Sequence, residues 1–174
     1  GMERKASLSL KIWDRQSGKE VRHLDTSDWF AAVAWHPTQP RIAFLSWESD
    51  LWVIDSQTLK TILKVSTQLN DRGTLCWSAD DSQIAVGGRE RQGGLAGIQI
   101  WDVSTGKQRL VLRGHHTKVT SLAWSPDGQR LASGEAQGIV NLWDPKTGGM
   151  TLSRPVMKTQ RNLPPAWSPD SQRL

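Results

Sequence analysis

The 174-residue chain holds a single cysteine, Cys76, so it can form neither an internal disulfide nor a cysteine metal cluster. It has no tyrosine and only two phenylalanines. No apolar run approaches the ~20 residues of a membrane-crossing helix. Nothing ahead of the first patterned segment reads as a signal peptide. A phosphate-cradling glycine loop opening a helix is also missing, because Gly87-Gly88 and Gly93-Gly94 flank a strand-to-strand connection. Neither sign of charge dominates: 22 Lys and Arg against 17 Asp and Glu leave a net charge of +5, scattered along the chain. That surplus permits acidic partners without demanding nucleic acid. The expectation is a cytoplasmic protein with no membrane contact, in which Gly1-Met2 is a cleavage scar before a start residue.

Tryptophan is what the chain has in plenty, with ten copies. Such skew points to one structural position refilled by the same residue, and two phrases do recur. One is Ala34-Trp35-His36-Pro37, Cys76-Trp77-Ser78-Ala79, Ala123-Trp124-Ser125-Pro126 and Ala166-Trp167-Ser168-Pro169. The other is Ile12-Trp13-Asp14, Val53-Ile54-Asp55, Ile100-Trp101-Asp102 and Leu142-Trp143-Asp144, whose aspartates are 41, 47 and 42 residues apart. A period of about 40–45 residues is that of a propeller blade of four short strands.

Each unit reads as strands a to d separated by turn signals. In the best copy, strand a covers Val119 to Trp124, b Arg130 to Gly134 and c Ile139 to Trp143, and d begins at Met150. Ser125-Pro126-Asp127-Gly128 and Asp144-Pro145-Lys146-Thr147-Gly148 supply the turns, proline fixing φ early and glycine giving positive φ late. Strand c alternates in every copy. Leu10 and Ile12, Leu51 and Val53, Ile98 and Ile100, and Val140 and Leu142 share one face and are expected to pack on the neighbouring blade. Trp13, Trp101 and Trp143 are expected in equivalent surroundings on the other face, with Trp52 filling the gap at Ile54.

The run Leu112-Arg113-Gly114-His115, Val119, Ser125-Pro126-Asp127-Gly128, Leu131-Ala132-Ser133-Gly134 and Leu142-Trp143-Asp144 resembles the WD-repeat family. The resemblance covers nearly the whole chain. It implies an all-β propeller of about four blades: residues 1–7 as scar and lead-in, and 8–174 as four repeats ending near Asp14, Asp55, Asp102 and Asp144, the last cut in strand b. Other copies depart from the pattern: Asp25-Thr26 replaces Gly-His, and no such pair is recognisable near Gln68 or Lys158. The family pattern pairs His115 with a b–c turn aspartate. Gln137 stands there, so the His–Ser–Asp–Trp network is expected to be incomplete. Pro164-Pro165 falls in the last strand a, where only an edge tolerates it. A four-blade arc leaves open strand edges, which gives two alternatives: two copies join about a two-fold axis to close an eight-bladed ring, or the chain is a piece of a larger propeller protein.

No catalytic, cofactor or metal constellation emerges. His115 and His116 point to opposite sides of an extended chain, and His36 replaces a turn serine. Cys76 takes the place of Ala34, Ala123 and Ala166, so it reads as a small core residue in strand a. Asp14, Asp55, Asp102 and Asp144 each open a turn.

The resemblance gathers the d–a and b–c loops on one end of the ring. The d–a loops are Ser27-Asp28-Trp29, Asn70-Asp71-Arg72, Thr117-Lys118 and Gln160-Arg161. The b–c loops are Trp47-Glu48-Ser49, Arg89 to Gly97 and Ala136-Gln137-Gly138. Trp29, Trp47, Arg72, Arg89, Arg91, Lys118 and Arg161 are therefore the candidate partner-binding residues, since Trp and Arg dominate interface hot spots. The expected function is a non-catalytic protein–protein interaction scaffold. Its alternatives are binding of nucleic acid or another polyanion through a basic loop face, and service as a propeller module attached to an enzyme elsewhere.

Overall fold

The computed structural model describes residues 8–26, 29–90, 94–156 and 164–174, without the side chains of residues 8 and 70–72. Strand is the regular structure throughout. β1 (Leu8–Trp13) and β2 (Glu20–Thr26) form a hairpin. The first blade is β3 (Phe30–Trp35), β4 (Arg41–Ser46), β5 (Asp50–Asp55) and β6 (Thr61–Ser66). The second is β7 (Leu69–Trp77), β8 (Gln83–Glu90), β9 (Ala96–Asp102) and β10 (Gln108–Arg113). The third is β11 (Val119–Trp124), β12 (Leu131–Glu135), β13 (Ile139–Trp143) and β14 (Met150–Pro155). Each sheet is antiparallel with its strands in chain order. The described residues thus hold three complete blades and a hairpin in the c and d positions of another.

The turns repeat with the strands. At each a–b turn of the second and third blades a serine ties the loop: Ser78 Oγ donates to Asp80 Oδ1 at 2.6 Å and Ser125 Oγ to Asp127 Oδ1 at 2.6 Å. At the c–d turns, Asp14, Asp55, Asp102 and Asp144 each accept a backbone N–H and a Ser or Thr hydroxyl. Those bonds hold the four carboxyls below the usual carboxylate range, most strongly at Asp102, which falls to about 2. The acidic series belongs to the scaffold.

Apolar layers fill the seams between sheets. Leu10 and Ile12 pack on Ile42, Phe44 and Ile54 of the first blade. Leu51 and Val53 pack with Leu75, Ile84 and Val86 of the second, and Ile98 and Ile100 with Val119 and Leu131 of the third. Three of the four c-strand pairs therefore pack as their alternation predicts, while Val140 and Leu142 of the third blade stay half-buried. A second tie recurs across seams: Trp77 Nε1 donates to Ala34 O at 3.2 Å and Trp167 Nε1 to Ala123 O at 3.0 Å. Residues 164–174 pack against the third blade through that bond.

Two expectations need amendment. Trp101 and Trp143 are 8 % and 1 % exposed, but Trp13 is 58 % exposed. The hairpin supplies no strands a and b beside it, so its indole has no sheet to rest on. Strand a expected around Pro164-Pro165 does not pair in a sheet; prolines bring no N–H, and no strand b stands alongside. The first blade replaces the buried polar network with an aromatic stack. Trp52 lies nearly parallel to Phe44, centroids 5.8 Å apart, in the same cluster as Ile54, so it does fill the space a tryptophan leaves there.

Candidate partner-docking face

One backbone bond recurs where a d–a loop meets a b–c loop. Ala136 N donates to Lys118 O at 3.0 Å in the third blade, and Trp47 N to Trp29 O at 2.8 Å in the first. In the first blade that bond carries two indoles. Trp29 and Trp47 sit with ring centroids 5.5 Å apart and planes tilted by 31°, and they remain 57 % and 50 % exposed. The b–c loop beneath is held firmly. Ser49 takes a positive φ of 72°, Thr67 donates to Ser49 O through both N (2.8 Å) and Oγ1 (2.8 Å), and Ser49 Oγ donates to Leu69 O. The pair is an exposed apolar surface on a rigid base, the form an interface anchor takes.

The cations fare differently. Arg89 is the last residue but one of β8, is exposed, and donates from Nε to Gly94 O at 3.1 Å, which turns it back across its own loop. Lys118 lies half-buried at the equivalent of Trp29. Arg72 belongs to β7, with its side chain outside the described residues, as are Arg91 and Arg161 altogether. The structure therefore joins Trp29 to Trp47 and puts Arg89 and Lys118 on the same loop end.

The third blade shows what the first has given up. His115 Nε2 and Trp143 Nε1 both bond Ser133 Oγ at 2.9 Å. As expected from Gln137, His115 Nδ1 is buried without a partner. A carboxylate is nevertheless present, at Glu135. It is buried and accepts from His116 N (3.0 Å), Thr117 N (2.8 Å), Thr117 Oγ1 (3.0 Å) and Asn141 Nδ2 (2.7 Å). The family pattern sets its carboxylate in the b–c turn, at position 137, and so gives no place to Glu135; an acidic residue ending a strand of small and apolar residues is the sequence signal for it. Burial pulls the His115 imidazole down to about 4, against the opposing pull of Glu135.

Cys76 packs on the cluster between the second and third blades, and burial pushes its thiol up to about 12. His36 is buried in its turn. Its Nδ1 accepts from Thr38 N (3.1 Å) and Gln39 N (2.8 Å), so the ring proton sits on Nε2. Among the described residues, no three His, Cys, Asp or Glu side chains stand close enough to hold a metal ion.

Comparison with known proteins agrees with this geometry. Residues 106–144 match the family model described as WD domain, G-beta repeat. The chain is a WD-repeat protein. It is similar to Coronin-7 of Pongo abelii, with 31 % identity over 147 residues, which is 82 % of this chain and 16 % of that protein. Coronin-7 of Mus musculus is 44 % identical over 55 residues, covering 32 % of this chain and 6 % of the relative. A Dictyostelium discoideum protein named serine-threonine kinase receptor-associated protein is 28 % identical over 134 residues, covering 77 % and 43 %. The chain thus spans less than a fifth of the Coronin-7 relatives it matches. WD repeats serve in general as scaffolds for binding other proteins, and this chain shares that broad role with its repeats.

Proposed function

We propose that this WD-repeat chain captures a protein partner on its loop face, with Trp29 and Trp47 as the anchor, and that it does so without catalysing a reaction. The single observation carrying this is the exposed indole pair seated on the braced Ser49 loop. An exposed aromatic pair of that size is rare on a surface without a binding role, and fixing it beforehand lowers the ordering cost of association. The basic loop-end residues Arg89 and Lys118 favour an acidic partner surface. One relative is named for association with a kinase receptor, which fits a protein rather than a nucleic-acid partner. The test is a quantitative pull-down comparing wild type with Trp29→Ala/Trp47→Ala. Partners lost from the double variant, at unchanged far-UV circular dichroism, support the reading. An identical set of captured proteins refutes it.

Self-association is a second reading, favoured by the exposure of Trp13 and Trp35 on the hairpin side of the first blade. Light scattering checks it: a dimer weighs twice the 19.4 kDa chain, and a clean monomer at micromolar concentration removes the idea.

A further inference from the structure

Successive a–b turns meet at the rim opposite the loop face, and they do so unequally. Between the first and second blades the His36 ring stands edge-on to Trp77 with centroids 4.5 Å apart. Its Nε2 faces Asp81 Oδ1 at 3.2 Å, and Thr38 Oγ1 donates to Asp81 Oδ2 at 2.8 Å. Between the third blade and the C-terminal segment, Asp127 N donates to Ser171 Oγ at 3.0 Å. Asp81, Gly128 and Ser171 hold the same turn place, four residues after the strand-a tryptophan, with φ of 64°, 70° and 60°.

The junction of the second and third blades differs at both key places. Ser78 stands where His36 does, and Gly128 stands where Asp81 does. Neither has the reach to repeat those contacts. Trp124 Nε1 points to Gly128 O of its own turn at 3.4 Å, whereas Trp77 and Trp167 reach back to the preceding blade. A cleft of about 360 Å³ results, walled by Trp124, Ser78, Gly128, Asp80, Asp127 and Pro145. A Cβ built on Gly128 would meet nothing nearer than Ala79 Cβ at 3.9 Å, so the space is open. Trp124, one wall of the cleft, packs on the buried layer of Ile98, Ile100, Val119 and Leu131.

We propose that this cleft takes an arginine side chain from a partner segment. The chain itself supplies the pattern: at the neighbouring junction the same space holds a planar N–H-bearing ring, set edge-on against the strand-a indole beside a carboxylate. In the cleft, Trp124 offers the indole, and Asp80 and Asp127 offer the carboxylates. Each uses Oδ1 for its own turn, Asp80 with Ser78 and Ser82 and Asp127 with Ser125 and Gln129, which fixes the carboxyl group in place. A guanidinium matches this set better than an ammonium because it is planar, stacks on indole and pairs with carboxylates through a fork of N–H donors. Arg109 and Lys146 also line the cleft, and Lys146 Nζ is engaged by Gln129 Oε1 at 3.3 Å. Their charge balances the two aspartates, so recognition rests on short-range contacts rather than on a net field.

The test is independent of the Trp29–Trp47 surface. The ¹⁵N-labelled chain is titrated with Ac-Gly-Arg-Gly-NH2, Ac-Gly-Lys-Gly-NH2 and Ac-Gly-Glu-Gly-NH2 while the indole N–H of Trp124 is followed by NMR. The arginine tripeptide is expected to give a saturable shift there, with the lysine tripeptide at least about threefold weaker and the glutamate tripeptide silent. Ser78→His/Gly128→Asp rebuilds the His36–Asp81 arrangement and should erase the response, leaving the Trp29 and Trp47 indole signals in place. Asp80→Asn/Asp127→Asn keeps the turn acceptors and should weaken binding about tenfold. The proposal fails if Trp124 shows no saturable shift, if lysine or glutamate matches arginine, or if Ser78→His/Gly128→Asp still binds.

Discussion

The imidazole of His115 and the indole of Trp143 share one hydroxyl, Ser133 Oγ, each at 2.9 Å, with ring centroids 4.8 Å apart. Strand b of the third blade thereby serves a loop and strand c through a single atom. All three residues are buried, so water cannot replace what any of them loses.

Ser133→Ala should therefore cost more than one hydrogen bond. It strands two buried nitrogens, at about 1–3 kcal/mol each when left unmatched. We expect a loss of about 3 kcal/mol in urea unfolding with an unchanged m-value. A loss below about 1 kcal/mol would show that the network relaxes around the missing oxygen.

Acid should weaken the fold before its carboxylates titrate. His115 has its pKa lowered from 6.5 to about 4 in the folded chain, so the unfolded chain binds more protons between those values. Its contribution is complete above pH 6.5, declines as pH falls toward 4, and reaches about 3 kcal/mol in total by the two-and-a-half-unit shift. The His36 pKa is lowered as well, mainly by burial, and acts in the same direction. Melting temperatures of wild type and His115→Gln at pH 7 and pH 4.5 check this. The variant should lose less on acidification, and equal losses would place the acid sensitivity elsewhere.

Glu135 should govern the loop that leads to Lys118. Its two oxygens hold His116, Thr117 and Asn141, so Glu135→Ala strands one buried donor, Asn141 Nδ2, and three part-buried ones. Amide exchange over residues 115–119 should speed up by at least about tenfold, with a global cost of about 3 kcal/mol. Glu135→Gln should fall between, because one amide oxygen still accepts. Unchanged exchange in the alanine variant would remove Glu135 from this role.

Cys76 should resist alkylation in the native state. With its thiol at about 12, almost no thiolate exists at pH 8. Iodoacetamide should label the unfolded chain readily and the folded chain at a rate set by unfolding. Fast native labelling would contradict the burial.

Much of the blade plan was legible in the residues. The c-strand alternation of Ile98 and Ile100, the turn aspartates and the Trp-Ser-Pro phrase each carry local instructions, and each was met in place. What depended on neighbours was not legible. Trp13 and Trp101 sit in the same phrase, yet only Trp101 has a sheet beside it. The candidate site was half legible. Two unrepeated tryptophans in one blade marked Trp29 and Trp47, but their ring contact depends on a backbone bond between loops that no spacing rule reveals. The role of Glu135 was hidden for a similar reason. Its partners lie on two other segments, 18 and 19 residues back and six ahead.

The uneven burial of the indoles has a practical side. Trp13, Trp29, Trp35 and Trp47 face solvent already, so their emission changes little when the chain denatures. The signal in an intrinsic-fluorescence melt comes mostly from Trp77, Trp101 and Trp143, all of which sit in the second and third blades. Such a curve reads the middle of the molecule above all, and Trp52, half-buried beside Leu10, Ile12 and Leu24, is the one indole placed to register the β1–β2 hairpin leaving the first blade.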